Sequence, residues 1–578
     1  MKLSALLLAA ALTLPAAPAL ADSGARASAG LSAEQRSAWR DVFAAIRSED
    51  WFGAAARLAA LPEGPLHTAA RAELYLAKGS PRTELPQLLS LLAQAPDMPK
   101  AEQLARLAQT RGATELPSLP QAHGLVWVGS QPRRGRAPAT RNDPAAAALE
   151  PLVQPLIKDN RPFEAEALFL ERQDQLGPDA RTEFQQRIGW SYYTIGNDSD
   201  ARRLAALARA GTGEWAIQGA WSEGLAAWRS GDCKGAADAF GSVAGRSDDI
   251  ELSAAAHYWA GRAEMMCGRP ERVQGHLRSA ARHKETFYGL IATTALGIRG
   301  HGASGLHNYR DSEWRGIAGK PNVRAALALA EIGESDLADQ FIRHQARLGS
   351  GDHGALLHLA ADLDLASTQY WLAHNAPRGA SVNLAARYPR PDWRPTRGWR
   401  VDPSLAFAHA LQESNFRTSV VSPAGAVGLM QVRPGTAGDI ARARGEPFDR
   451  QLLTSPAANI EFGQSYIETL RDHHATGGLL PKVIAAYNAG PVPVAEWNTR
   501  RFDRGDPLLY IESLPYWETR GYVPIVLRNY WIYEEGAGKT GPSRAALAQG
   551  MWPRFPGLSG AAAVRLKADE TKLAYGTE

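Results

Sequence analysis

The stretch VDPSLAFAHALQESNFRTSVVSPAGAVGLM, Val401 to Met430, sets the reading of the whole chain. It reads as a helix, a loop and a glycine-rich segment. Asp402 is placed to cap the helix, and Pro403 suits its first position, where a missing N–H does no harm. Phe407, Ala408 and Leu411 fall at helical spacing and are expected to face a core. Glu413 falls off that stripe. It shares a face with Ala406, His409 and Ala410, and the two alanines leave room beside its carboxylate. Ser414 and Asn415 continue a helix poorly, so the helix is expected to end just after Glu413. A carboxyl group set there between Leu411 and Phe416 would keep its proton more easily than one in water, as a general acid near neutral pH must. A Glu at a helix end is more often a surface residue, and the helix alone does not decide between the two.

The segments that follow can frame such a group. Ser422 to Gln431 carries glycines at 425 and 428, which permit tight turns and close approach of backbone to a ligand. It lacks the Gly-Lys-Ser/Thr of a phosphate loop. Ile460 to Leu470 is expected to be an amphipathic helix, with Gly463 allowing close packing. Lys482 to Asn488 reads as a short helix stopped by Gly490 and Pro491, leaving Tyr487 and Asn488 at its end. Glu518 falls at or just before a last helix whose apolar stripe is Val523, Val526, Leu527 and Tyr530.

Working back toward the N-terminus, Ser32 to about Gly300 is rich in Ala and Leu with helical periodicity. Breaks of one kind recur: Asp159-Asn160-Arg161-Pro162, Gly196-Asn197-Asp198, Gly231-Asp232 and Gly268-Arg269-Pro270. Gly196 to Gly231 is 35 residues and Gly231 to Gly268 is 37. That is the period of helix–turn–helix repeats of the tetratricopeptide kind, in which each hairpin buries its apolar face on the next. Tyr193, Trp228 and Met266 precede the later breaks. An earlier unit is expected at Ala45 to Leu61, turning at Ser48-Glu49-Asp50. Thr114 to Asp143, with Trp127 and Pro132-Arg133-Arg134-Gly135-Arg136, cannot be regular helix. It is either a strap held by Trp127 or a solvated basic loop. His301 to Lys320 reads as loop, Asn322 to about Ala373 as helix, and Tyr388 to Pro395 as a linker.

The composition is that of an ordinary globular protein with several domains: 578 residues, 45% hydrophobic, 21% charged and a formal net charge of +4. So small a positive excess over so long a chain carries no nucleic-acid signature, though it suits an anionic polymer. The first residues have a positive start, an apolar core and Ala19-Leu20-Ala21, as in an export signal cleaved before Asp22. No later stretch is expected to span a membrane, and no metal or other cofactor is expected, since no Cys/His cluster has ligand spacing. The two cysteines, Cys233 and Cys267, are about one repeat apart. A disulfide and a pair of buried thiols both remain open.

Four blocks now carry a resemblance. Gln412 to Phe416 with Ser422 to Gln431, Asn459-Ile460 with Gly463 and Tyr466, Ala485 to Pro491, and Glu518 to Val523 stand in the order seen in the soluble lytic transglycosylases. These are lysozyme-like enzymes that cut bacterial peptidoglycan. The resemblance implies an all-α chain: a signal peptide at 1–21, an α-superhelical repeat domain at 22–285, a linker domain at 286–385, a lysozyme-like catalytic domain at 386–540 and a tail at 541–578. It implies Glu413 as the catalytic acid, with Ser422, Gly428, Leu429, Met430, Gln431, Tyr487, Asn488 and Glu518 lining the sugar cleft and the Tyr487 hydroxyl near Glu413. It implies cleavage between N-acetylmuramic acid and N-acetylglucosamine, ending in a 1,6-anhydromuramoyl product. The expected partner is the glycan strand in the periplasm, met by a monomer, with other cell-wall enzymes as candidate partners. A muramidase that uses water and an inert wall-binding scaffold are the alternatives.

Overall fold

The computed structural model describes residues 28–298, 311–500 and 503–567. The expected signal peptide at 1–21 lies outside them, as do residues 568–578 of the tail. Among the described residues there are 27 α-helices and four strands of two residues each. None of the helices is long and apolar enough to cross a membrane. The chain forms two compact units: Met1–Gly124 with Tyr309–Thr368, and Leu125–Asn308 with Gln369–Glu578.

In the first unit the expected early hairpin is present as Ala33–Arg47 and Trp51–Ala60. Ser32 and Gln35 form a reciprocal cap at its start, and the Asp50 carboxylate accepts the Gly53 N–H after the turn. Leu88, Leu91, Leu92 and Leu104 bury completely or nearly so in a shared apolar cluster. Asn322 donates to the Asp97 carbonyl at 2.8 Å and so ties the later segment of this unit to the earlier one. Of the segment read as loop, His301 to Lys320, residues 301–310 lie outside the described ones, and the rest contains a helix, Asp311–Ile317. Its helical pattern is only two turns long, too short to register as periodic.

The second unit holds the repeats. Pro178–Thr194 and Asp198–Arg209, Gly213–Ser230 and Cys233–Arg246, and Ile250–Met266 and Pro270–Ala281 are joined at the predicted breaks. Each break turns on a left-handed glycine: Gly196 at φ +88°, Gly231 at +82° and Gly268 at +70°. Asn197 and Asp232 then cap the next helix. Tyr193, Phe240 and Trp259 are buried in the stack, whereas Met266 is 40% exposed. Cys233 and Cys267 form a disulfide across a helix start and a helix end, with Cα atoms 5.4 Å apart.

The Pro- and Arg-rich segment is a strap, but Trp127 does not hold it. That ring is 57% exposed and rests on His374. Val126–Trp127 pairs antiparallel with Asn375–Ala376. The fastening comes from polar groups further along. Arg134 makes a two-pronged bond to the buried Glu512 at 2.7 and 3.1 Å, Trp215 donates to the Pro138 carbonyl, and Arg528 donates to the Pro132 carbonyl. Arg134 is structural because the Glu512 carboxylate, from elsewhere in the fold, is brought to it.

The same unit packs its C-terminal helices on the repeats. Phe287 stacks on Trp531 at 5.1 Å, the Tyr288 hydroxyl donates to Glu512, and Tyr193 shares a hydrogen bond with Ser513. Each large apolar side chain so buried contributes roughly 1.5–3 kcal/mol. The segment read as tail is folded through residue 567. Pro542–Ala548 is a helix, and Trp552, fully buried, donates to the Gly505 carbonyl.

Candidate active site

The central helix is Pro403–Ser414. Asp402 caps it as expected, its carboxylate taking the Ser404 N–H at 2.9 Å and a 2.8 Å ion pair from Lys539. The apolar stripe expected of this helix is instead burial nearly all round: residues 404 to 411 are all buried. The helix threads the middle of its domain, packed against Trp517–Gly536. That leaves its last turn to reach the surface, and Glu413 is on that turn. Asn415 at φ +52° and Phe416 at +62° then reverse the chain. Two successive non-glycine residues in the left-handed region are strained, and Phe416 is held there by burial against Phe407 and Trp393. Ser414 fastens the turn to the following loop by donating to the Leu429 carbonyl at 2.8 Å.

The loop owes its form to Asn459. This fully buried side chain accepts the Met430 N–H at 2.8 Å and donates to the carbonyls of Val427 at 2.9 Å and Leu453 at 2.7 Å. Gly428 sits at φ +76°, and a Cβ there would fall 2.2 Å from the Leu453 oxygen, so only glycine fits. Gln431 turns back to donate to Gly428 and Val420 carbonyls. Leu429 and Met430 are fully buried, Met430 against Gly463, so what these two can offer a ligand is backbone. Ser422 is half-buried, its hydroxyl accepting the Ala426 N–H.

Glu413 meets Tyr522. The phenol donates to Glu413 Oε1 at 2.6 Å, and its oxygen lies 2.8 Å from His409 Nδ1. His409 is fully buried, and burial pushes its pKa down to about 3, so the ring is neutral. While Glu413 is ionised and takes the phenol proton, His409 carries its hydrogen on Nδ1 and donates to Tyr522. His409, Tyr522 and Glu413 thus form a short chain of donors ending on the carboxylate. Burial raises the Glu413 pKa to about 7; the Tyr522 bond opposes that rise and the charge of Glu518 adds to it. The carboxyl group is poised to give up or take back a proton near neutrality.

Tyr487 is close enough to Glu413 for the carboxylate's charge to act on its phenol, but it makes its hydrogen bond elsewhere. Its hydroxyl donates to the Met430 carbonyl at 2.8 Å, while its ring lies 4.4 Å from His409. The phenol on the carboxylate is Tyr522 because the Trp517–Gly536 helix lies along the Glu413 helix. Glu518 is the second residue of that helix and is exposed. Asn488 bridges to it, donating to Glu518 Oε1 at 3.3 Å and accepting from Thr519 at 2.6 Å. Sequence reasoning passed over Tyr522 and His409 as chemical groups. The signal was there in spacing: each stands four residues, one helical turn, from a carboxylate already singled out.

A helical domain built round one buried, proton-holding carboxyl group, with a hydrogen-bonded loop beside it, is a lysozyme-like arrangement. Comparison with known proteins says which kind. Residues 394–509 match the transglycosylase SLT domain family. The chain is 38% identical over 164 residues to the soluble lytic murein transglycosylase of Salmonella typhimurium, covering 28% of this chain and 24% of that one. It is 40% identical over 137 residues to the corresponding Escherichia coli K12 protein, 23% of this chain and 21% of that one. The matched stretch therefore spans about a quarter of these relatives' own length. The fold is similar over a much longer extent to the crystal structure of the 70 kDa soluble lytic transglycosylase of Escherichia coli: TM-score 0.56, 20% identity, 90% of this chain and 88% of that one. Residues 394–509 thus match a transglycosylase SLT domain, within a mostly helical chain whose fold is similar to that of the soluble lytic transglycosylase structure.

Proposed function

We propose that this protein is a lytic transglycosylase, a carbon–oxygen lyase of peptidoglycan that cuts between N-acetylmuramic acid and N-acetylglucosamine. The observation that carries the reading is the state of Glu413, a buried carboxyl group with a pKa of about 7 that accepts from Tyr522. Protonated Glu413 gives its proton to the glycosidic oxygen as the bond from C1 breaks. The 2-acetamido group of the muramoyl residue stabilises the oxocarbenium-like centre, so no protein nucleophile is needed. The C6 hydroxyl then closes on C1 and its proton returns to Glu413. The product is a 1,6-anhydromuramoyl end, and the carboxyl group is restored.

Glu518 is coupled to Glu413 by charge, but it is exposed, and Asn488 takes up one of its oxygens. It supports a substrate-binding role. Ser422, Asn488 and the backbone of Gly428 to Gln431 supply polar groups along the same cleft, with Leu429, Met430 and Tyr487 holding it in shape. Export to the periplasm accords with the signal-like residues 1–21 and with the Cys233–Cys267 disulfide, which suits an oxidising compartment. The test is digestion of purified sacculi followed by mass spectrometry of the products. Anhydro ends are expected, one water lighter than the hydrolysed form, and Glu413→Gln should abolish release while the protein stays folded. Reducing, hydrated ends would assign the protein as a muramidase, and normal release by Glu413→Gln would remove the assigned acid.

A further inference from the structure

The repeat helices and the strap enclose a cavity of about 180 Å³ that the proposed mechanism does not use. No residue of Pro403–Ser414 lines it. Three other helices wall it: Pro144–Lys158, Pro178–Thr194 and Gly213–Ser230. Helical spacing turns polar and aromatic groups to it together. Trp215, Gln218 and Ser222 stand at i, i+3 and i+7 on the third helix, and Gln186 and Trp190 at i and i+4 on the second. Resting on the peptidoglycan reading above, we infer that this cavity is a glycan-binding site of the repeat domain, holding one N-acetylhexosamine ring of the strand on the face of Trp215.

Trp215 is the ring left open. It is half-buried, and its Nε1 donates to the Pro138 carbonyl at 2.8 Å, which fixes the orientation of the indole. Trp190 and Trp221 are already covered: the Arg520 guanidinium lies 4.1 Å from the centre of the first, and that of Arg134 lies 4.6 Å from the centre of the second. Trp215 has no aromatic or cationic group over it among the described residues. The face of an indole is electron-rich and takes the slightly positive C–H hydrogens on the apolar face of a pyranose.

The edge of such a ring carries hydroxyls and an acetamido group, and the wall holds amides to meet them. The Gln218 side chain makes no hydrogen bond among the described residues. Gln186 gives its Nε2 to Ser222 Oγ at 3.1 Å, which leaves its Oε1 to accept. Gln154 accepts from Arg187 through Oε1, which leaves its NH₂ to donate. A free amide offers a donor and an acceptor side by side, the pair an acetamido group requires. Charge is not what the cavity selects. No carboxylate lines it, and Arg134 is committed to Glu512 and Arg187 to Glu150 and Glu183. Its volume is below the roughly 300 Å³ at which pockets for drug-sized ligands begin, and suits one sugar ring. Trp517 also lines it and precedes Glu518 of the cleft, so one strand reaches both places. Two holds on one strand favour long glycan over short without a new contact at Glu413.

The experiment uses the full chain carrying Glu413→Gln, labelled with fluorotryptophan, and follows the fluorine resonances during titration with chitotetraose, a tetramer of N-acetylglucosamine. The Trp215 signal is the one lost in Trp215→Phe. It should shift and saturate. Gln218→Ala, which keeps the bond from Trp215 to Pro138, should raise the concentration for half-saturation about threefold to tenfold, the loss expected of one ligand hydrogen bond. On the otherwise unaltered enzyme, Trp215→Ala and Gln218→Ala should each lower about tenfold the ratio of kcat/KM on long glycan strands to that on a tetrasaccharide. A Trp215 signal that chitotetraose does not move, one moved instead by the wall peptide free of sugar, or a ratio unchanged in both variants overturns the proposal. The titration reads no product, so hydrated ends in the sacculus assay would change the assigned reaction and leave the Trp215 result as it stands. A still signal alongside anhydro ends would remove this site alone.

Discussion

Replacing Glu413 with Gln should stabilise the protein, and the gain should grow with pH. The ordinary pKa of this carboxyl is 4.5, and in the fold burial pushes it to about 7. Between those values the folded state keeps a proton that the unfolded chain releases. Below the lower value both states are protonated and the side chain carries no penalty. As pH rises through the window the folded state loses ground, and above about 7 the whole penalty stands. The rise from 4.5 to about 7, at about 1.4 kcal/mol per unit, amounts to about 3 kcal/mol. Gln keeps an oxygen for the Tyr522 hydroxyl, so the packing survives the change. Glu251 and Glu534, also raised by burial to about 7, tilt both proteins alike and cancel in the difference. Urea unfolding followed by tryptophan fluorescence at a series of pH values measures it. The two proteins should match near pH 4 and differ by about 3 kcal/mol near pH 8. A difference that does not change with pH, or a wild type that is the more stable at high pH, would refute the claim that burial holds the proton.

Tyr522→Phe removes the donor that favours the charged form of Glu413, so the carboxyl should keep its proton to higher pH. The alkaline limb of kcat/KM should move up by about one unit, as the loss of a hydrogen bond to a charged group implies; an unmoved limb would deny Tyr522 that role. Asn459→Ala leaves the Met430 N–H and the Val427 and Leu453 carbonyls without their partner, and should lower stability by about 3 kcal/mol or more, read as a fall in Tm. Gly428→Ala forces a Cβ against the Leu453 carbonyl and should abolish activity with the repeat helices intact by circular dichroism. Cys233→Ser opens a loop of 34 residues and should cost about 3 kcal/mol in the repeat region, measured by hydrogen exchange there.

The repeats were legible because their signal is local. A glycine that must adopt positive φ and an Asn or Asp that must cap the next helix recur at fixed intervals, and Gly196, Gly231 and Gly268 are where the turns are. The helix at Pro403–Ser414 and its end at Asn415 were equally local matters of capping and propensity. The Arg-rich strap was open in sequence and closed in the fold. Arg134 becomes structural only because Glu512, 378 residues away, is brought beneath it.

By itself the sequence determined the helical class and the period of the repeats, since each follows from residues within a few turns of one another; Glu413 it singled out only through a resemblance carried by four separated blocks. The environment that lets Glu413 hold a proton was decided only in three dimensions. A pKa depends on every atom that excludes water from the carboxyl and on the donor that reaches it. For Glu413 the nearest donor, Tyr522, comes from 109 residues further along the chain, and the His409 behind it is buried by helices from the whole domain.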